Sequence, residues 1–179
     1  MIIEGGVPTL FFVKACRTHR WEEQLPNYSP AAVANAFADL AGHVMPQMKL
    51  QKLTYIADGW NLAIAGVPLV DAQPEAWDNG PVFRSIWNRL RDLGSARGKI
   101  RDYDGSTPTA ALTDEERAVI QHVWNKYGLK SARELSDLTH QPNTPWSRAY
   151  YDRGRNAVIP NEDIRAHYLA LAQAGRVPA

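Results

Sequence analysis

Apolar positions recur at helical spacing along most of the chain after residue 27, with one stretch of different texture between Gly66 and Pro81. Ser29-Pro30 supplies a cap and a first-turn proline ahead of residues 31–41, where Val33, Phe37 and Leu40 share a face and Gly42 closes the segment. From 47 to 65, Leu50, Leu53, Ala57, Trp60 and Ile64 fall at steps of three and four, the strongest helical period in the sequence, and Gly66 stops it. Gly59 lies inside that helix, where glycine costs about 1 kcal/mol against alanine, so it predicts a close packing contact.

The texture then changes. Residues 68–71 and 75–77 are short segments around Ala72-Gln73-Pro74, and Asn79-Gly80-Pro81 reads as a turn, predicting a small two-stranded or irregular β element. Pro81 opens a helix through Leu93, with Val82, Ile86, Leu90 and Leu93 on one stripe and Gly94 ending it. Residues 98–103 can pair as a further strand, and 105–109 form a loop. Two capping boxes follow, Thr113 with Glu116 and Ser131 with Glu134. The first opens a helix to Tyr127, with Ile120, Val123, Trp124 and Tyr127 inward; the second opens a shorter helix to His140. One helical turn spans 146–151, and a last helix follows Asn161 with Ile164, Tyr168 and Leu171 buried. The expected class is mainly α, a compact helical domain of about five to six helices with a small β hairpin or short sheet.

Residues 1–26 show no helical period and are expected to be an N-terminal extension to a domain covering 27–175. The apolar run 7–13 is far shorter than the ~20 residues a membrane span requires. Glu4 precedes it and Lys14 and Arg17 follow, which is not the charge pattern of a signal peptide. Cys16 stands alone, excluding a disulfide framework and a cysteine zinc site and pointing to a reducing, cytoplasmic compartment without membrane attachment.

With 45% hydrophobic and 22% charged residues, the chain can bury a sizeable core and is not a disordered one. Twenty basic against nineteen acidic residues leave a net charge of +1, which takes weight from a role gripping nucleic acid mainly through phosphates. Six bases between Arg84 and Arg101, against Asp92 alone, leave a local basic patch. It suits phosphates or an acidic protein, and equally a solvated helix face. Residues 119–138 have the spacing of a helix-turn-helix with Arg133 near the start of the second helix, although packed helix pairs with a glycine turn are common. The alternative function this leaves open is a DNA-binding transcriptional regulator, acting on its own promoter.

Catalytic patterns are missing: the sequence has no GxSxG, GxxxxGK[ST], GxGxxG or HExxH. The five histidines share no metal-ligand spacing. Glu134, Asp137 and His140, at i, i+3 and i+6, share only a loose helix face, which suits a polar helix end with His140 near the C-terminal dipole better than a two-carboxylate, one-histidine metal site. The expectation is a non-enzyme without catalytic residues, cofactor or metal. Trp60, Trp87 and Trp124 lie on or beside helical stripes and are expected in the core. Trp77 and Trp146 lie in turn-rich segments beside prolines, and two readings stand open for them: anchors for a partner, or plugs packing irregular loops onto the core.

The run Met48-Lys-Leu-Gln-Lys-Leu-Thr-Tyr-Ile-Ala-Asp-Gly-Trp-Asn-Leu-Ala-Ile-Ala-Gly-Val-Pro-Leu69 resembles the hallmark of the Panacea domain of SocA-like antitoxins. The resemblance continues in Glu75-Ala-Trp-Asp-Asn-Gly-Pro-Val82, in Glu134-Leu-Ser-Asp-Leu-Thr-His140 and in Pro145-Trp146, in the family's order, over roughly residues 27–172. In place of the family's usual basic–aromatic pair before Gly-Pro, this chain has Asp78-Asn79. The resemblance implies a bacterial or phage antitoxin that neutralises a cognate toxin, encoded by a neighbouring gene, through direct protein contact. Of the residues common to the motif, Leu50, Leu53, Ala57, Gly59 and Trp60 are structural by period. Glu75, Trp77, Gly80, Pro81, His140 and Trp146 lie at element ends, where function collects, and are the candidate partner-binding residues.

Overall fold

The helix with the strongest period is the one on which the rest of the chain is assembled. The computed structural model describes residues 28–43, 45–91, 100 and 106–175. Among these it shows seven α-helices and one two-stranded antiparallel sheet: α1 Pro30–Ala41, α2 Gln47–Ala65, β1 Glu75–Trp77, β2 Gly80–Val82, α3 Arg84–Leu90, α4 Asp114–Tyr127, α5 Ala132–Thr139, α6 Pro145–Arg148 and α7 Asn161–Ala174. Helix α2 packs against α1, α3, α4, α5, α7 and strand β2. No described helix is long and apolar enough to cross a membrane. The expected extension 1–26 and strand 98–103 lie outside the described residues, apart from Ile100.

The local signals act where they stand. Both capping boxes form, with the Thr113 and Ser131 hydroxyls accepting from the N–H groups of Glu116 and Glu134 and each glutamate returning a bond to its cap residue. Ser29 caps α1, and Gly42 and Gly66 end α1 and α2 in the left-handed conformation. Gly59 meets the predicted close contact, the ring of Tyr168.

Four expectations are corrected. Helix α2 is buried around its whole circumference from Leu50 to Ala63, not along one stripe, because elements cover it on every side. The helix expected from Pro81 begins at Arg84, because Pro81 and Val82 pair with β1 in the hairpin and Phe83 is the N-terminal cap. Leu40 and Leu171 are exposed, and on α7 Ala172 takes the inward position. Of the expected core tryptophans, Trp60 is buried, whereas Trp87 and Trp124 are half-buried.

The hairpin register pairs Glu75 with Val82, Ala76 with Pro81 and Trp77 with Gly80, leaving Asp78-Asn79 as a two-residue turn. Residues 68–71 do not join it; Val70 instead bridges Tyr28. The outer edge of β1 is covered by residues 156–159, through Ala76 N–H to Ala157 O and Asn156 N–H to Ala76 O, each 2.8 Å. The turn expected over 146–151 is α6 followed by a π-helical turn, Ala149–Arg153.

Polar side chains from the helices hold the irregular segments. The Gln51 amide donates to Phe83 O at 3.1 Å and accepts from Phe83 N at 2.9 Å, and Asn35 does the same for Ile100 at 2.9 and 2.7 Å. The buried Asp58 carboxylate accepts from the N–H groups of Leu69 and Val70. Each side chain satisfies backbone groups that a longer sheet would otherwise pair.

Candidate functional site

The hairpin tip, the end of α5 and helix α6 meet, and this brings all six predicted site residues into one region. The turn is fixed from below. Asn79 O accepts from Ser136 Oγ at 3.0 Å, and Asp78 O faces His140 Nε2 at 3.0 Å. The other imidazole nitrogen, Nδ1, faces Ser136 O at 2.7 Å. Gly80 has φ +97°, a backbone conformation that favours glycine, and a Cβ there would crowd the end of the Lys52 side chain, 2.6 Å from its Nζ.

Trp146 is 3% exposed; its indole N–H donates to Trp77 O at 2.8 Å, with its ring against His140 at 4.1 Å and stacked on Tyr150 at 4.8 Å. It packs the loop inward. Trp77 is half-buried, tilted against Trp87 at 5.2 Å, with the Arg84 guanidinium 5.4 Å from its ring centroid. Glu75 accepts a bidentate pair from Arg84, at 2.8 and 2.7 Å, and the Trp77 indole N–H at 2.8 Å. Partial burial pushes the Glu75 carboxyl up, but the bonds from Arg84 and Trp77 outweigh it and hold the group below the ordinary carboxylate range.

The structure adds five residues that sequence reasoning did not place in the site. Asp78 accepts from Tyr150 Oη at 2.8 Å and from the Arg155 guanidinium, which ties the hairpin tip to the π-helical turn and the loop after it. Lys52 is buried beneath the hairpin, where its amine donates to Pro81 O at 3.0 Å. Burial pushes that amine down to about 7. Tyr151 projects, 74% exposed, from the π-helical turn beside Trp146 and Tyr150. Lys52 and Asp78 carried a signal, as a charge on the helix with the strongest apolar period and a charge at a hairpin tip; Tyr150, Tyr151 and Arg155 carried none at sequence range.

The other candidates separate. Glu134 is taken by its capping box, Asp137 pairs with Arg133 at 3.0 Å, and His140 faces backbone carbonyls. No described group of three or more such residues is placed to hold a metal ion. Helices α4 and α5 both pack on α2, and Lys49 Nζ donates to Gly128 O in their connection at 2.6 Å. In the basic stretch Arg84 is committed to Glu75, and Arg97, Lys99 and Arg101 lie outside the described residues.

Most of the region just described falls within the part of the chain that a family model recognises: the SocA-like antitoxin model, Panacea domain, matches residues 50–147, which leaves Tyr150, Tyr151 and Arg155 outside. The chain belongs to this family. The match runs from α2 through the hairpin to α6, and leaves α1 and α7, which also pack on α2, outside it. No match was found among curated proteins or among solved structures.

Proposed function

We propose that the protein is an antitoxin that neutralises a cognate toxin, encoded by a neighbouring gene, by binding it directly in the cytoplasm. Family membership over residues 50–147 carries this reading. The surface around the hairpin supports it as the place of contact. Trp77 and the projecting Tyr151 offer an indole face and a phenol to a partner, Glu75 holds the indole N–H and Arg84 beside them, and Gly80, Pro81, His140 and Trp146 keep the tip rigid. A pre-ordered aromatic surface of this kind binds without a large ordering cost. Such a role requires no catalytic group or cofactor.

Co-expression with the product of the adjacent gene tests the reading. The neighbour should arrest growth alone and be harmless with this protein present, and the two should co-purify. A neighbour that is harmless alone, or that stays toxic in the presence of this protein, overturns it.

A further inference from the structure

Lys52 weakens the fold where it stands. The residue is 1% exposed, and among the described residues its three donors have one acceptor, Pro81 O. A methionine of similar length would avoid the desolvation, so a lysine here has the character of a residue kept for function rather than stability.

Lys52 belongs to the lining of a cavity of about 360 Å3 that opens between the hairpin tip, the start of α2, Trp87 of α3 and the loop at Arg155-Asn156. Met48, Val82, Trp77 and Trp87 give it apolar walls, and Asn79, Asn156 and Arg155 add donors. Gln47, also in the lining, has a buried amide nitrogen without a hydrogen-bond partner. Helix α2 begins here with no acidic residue in its first turn and no side-chain cap, so its positive end is uncompensated. Asp78, the acid in the lining, is engaged by Tyr150 and Arg155. Donors, a cation and a helix start thus converge on an apolar-walled space the size of one side chain or small ligand.

We propose that this cavity is a carboxylate receptor, taking one acidic group of the docking partner with its carboxylate toward Lys52 and Gln47 and its stem against Trp77 and Trp87. The partner as source rests on the antitoxin reading; the recognition chemistry does not, and it is tested without a toxin. In 15N-labelled protein the indole N–H signals of Trp77 and Trp87 are followed during titration with N-acetylglutamate methylamide, its glutamine counterpart, and N-acetylglycine. A saturable shift is expected with the carboxylates and not with the glutamine compound. Tighter binding of the glutamate compound marks an acidic side chain as the source, and tighter binding of N-acetylglycine a chain terminus.

Lys52→Met should melt no lower than wild type and bind about tenfold or more weakly, the loss expected of one charge-assisted hydrogen bond. Gln47→Leu gives a second reading if that variant fails to fold. No saturable shift with either carboxylate, an equal shift with the glutamine compound, or wild-type affinity in a folded variant overturns the proposal. Protection from the neighbouring toxin is scored separately. A chain that protects but binds no carboxylate loses the cavity proposal alone, and one that binds carboxylate but does not protect loses the antitoxin reading alone.

Discussion

Gly59 on α2 faces the ring of Tyr168 on α7 so closely that a β-carbon on Gly59 would lie 2.2 Å from Tyr168 Cε2. The ring is held on its other sides, edge-on to Tyr55 at 6.3 Å and to Trp60 at 5.4 Å, so it has little room to retreat. Gly59→Ala should regain about 1 kcal/mol of helix propensity and lose more to overpacking, for which roughly 1–3 kcal/mol is usual. The net expectation is a destabilised domain in urea titration. In a Tyr168→Leu background the same substitution should cost about 1 kcal/mol less, a coupling that shows the two residues share one space. Equal costs in both backgrounds would mean that the contact does not limit packing.

Gln51→Leu tests the side chain that substitutes for a strand. Phe83 would lose the partner of its buried N–H, at roughly 1–3 kcal/mol, whereas its C=O would keep the Ile86 and Trp87 N–H groups. Hydrogen exchange at the Phe83 amide should accelerate along with the fall in stability. Unchanged protection of that amide would show that α2 does not hold the hairpin through this side chain.

Asp58 and Lys52 set opposite pH dependences. Burial pushes the folded Asp58 carboxyl up from 3.8 to about 7, against the opposing bonds from Leu69 and Val70. Between those values the folded chain keeps a proton that the unfolded chain releases, so this group lowers stability as pH rises through the window. Burial brings Lys52 down from 10.5 to about 7, and between those values the unfolded chain holds the extra proton, so stability rises with pH. Differences between wild type and variant isolate each effect, because His122 and His167, whose burial lowers their pKa, act alike in both chains. Urea titrations should therefore show Asp58→Asn gaining on wild type as pH rises toward 7, and Lys52→Met losing its advantage as pH rises above 7. A difference curve flat in pH removes the corresponding group from the buried set.

Trp146→Ala and Trp77→Ala should part company. Trp146 is enclosed and its indole N–H is bonded, so truncation should cost about 3–5 kcal/mol, and any loss of neutralisation should track unfolding. Trp77→Ala should cost about 1 kcal/mol, leaving a folded protein that no longer neutralises. Thermal melts beside the co-expression assay decide it. A folded, fully protective Trp77→Ala moves the contact surface elsewhere.

What could be read in advance was what local chemistry determines. Thr113 with Glu116 and Ser131 with Glu134 act within one turn, so their helices were legible to within a residue. Helix α2 was legible in extent but not in environment, since period alone cannot reveal that Lys52 and Asp58 would be enclosed by elements distant in sequence. Pro81 misled because a proline suits both a helix start and an edge strand, and pairing with Ala76 decided between them. The site followed the same division. Its hairpin and loop could be named from sequence, whereas the Asp78–Arg155 pair, 77 residues apart, could not.

The edge of β1 is closed by residues 156–159, and Arg155 locks the hairpin tip, so the Trp77 surface is stitched from segments almost eighty positions apart. During synthesis the hairpin emerges long before its edge partner. At ~5–20 residues per second the ribosome needs several seconds to bridge that gap, a long time beside the microseconds in which a hairpin can form. The nascent chain therefore carries an unfinished hairpin surface, with an open strand edge, until residues 155–159 have left the exit tunnel. The proposed contact surface is therefore complete only on chains extended past residue 159.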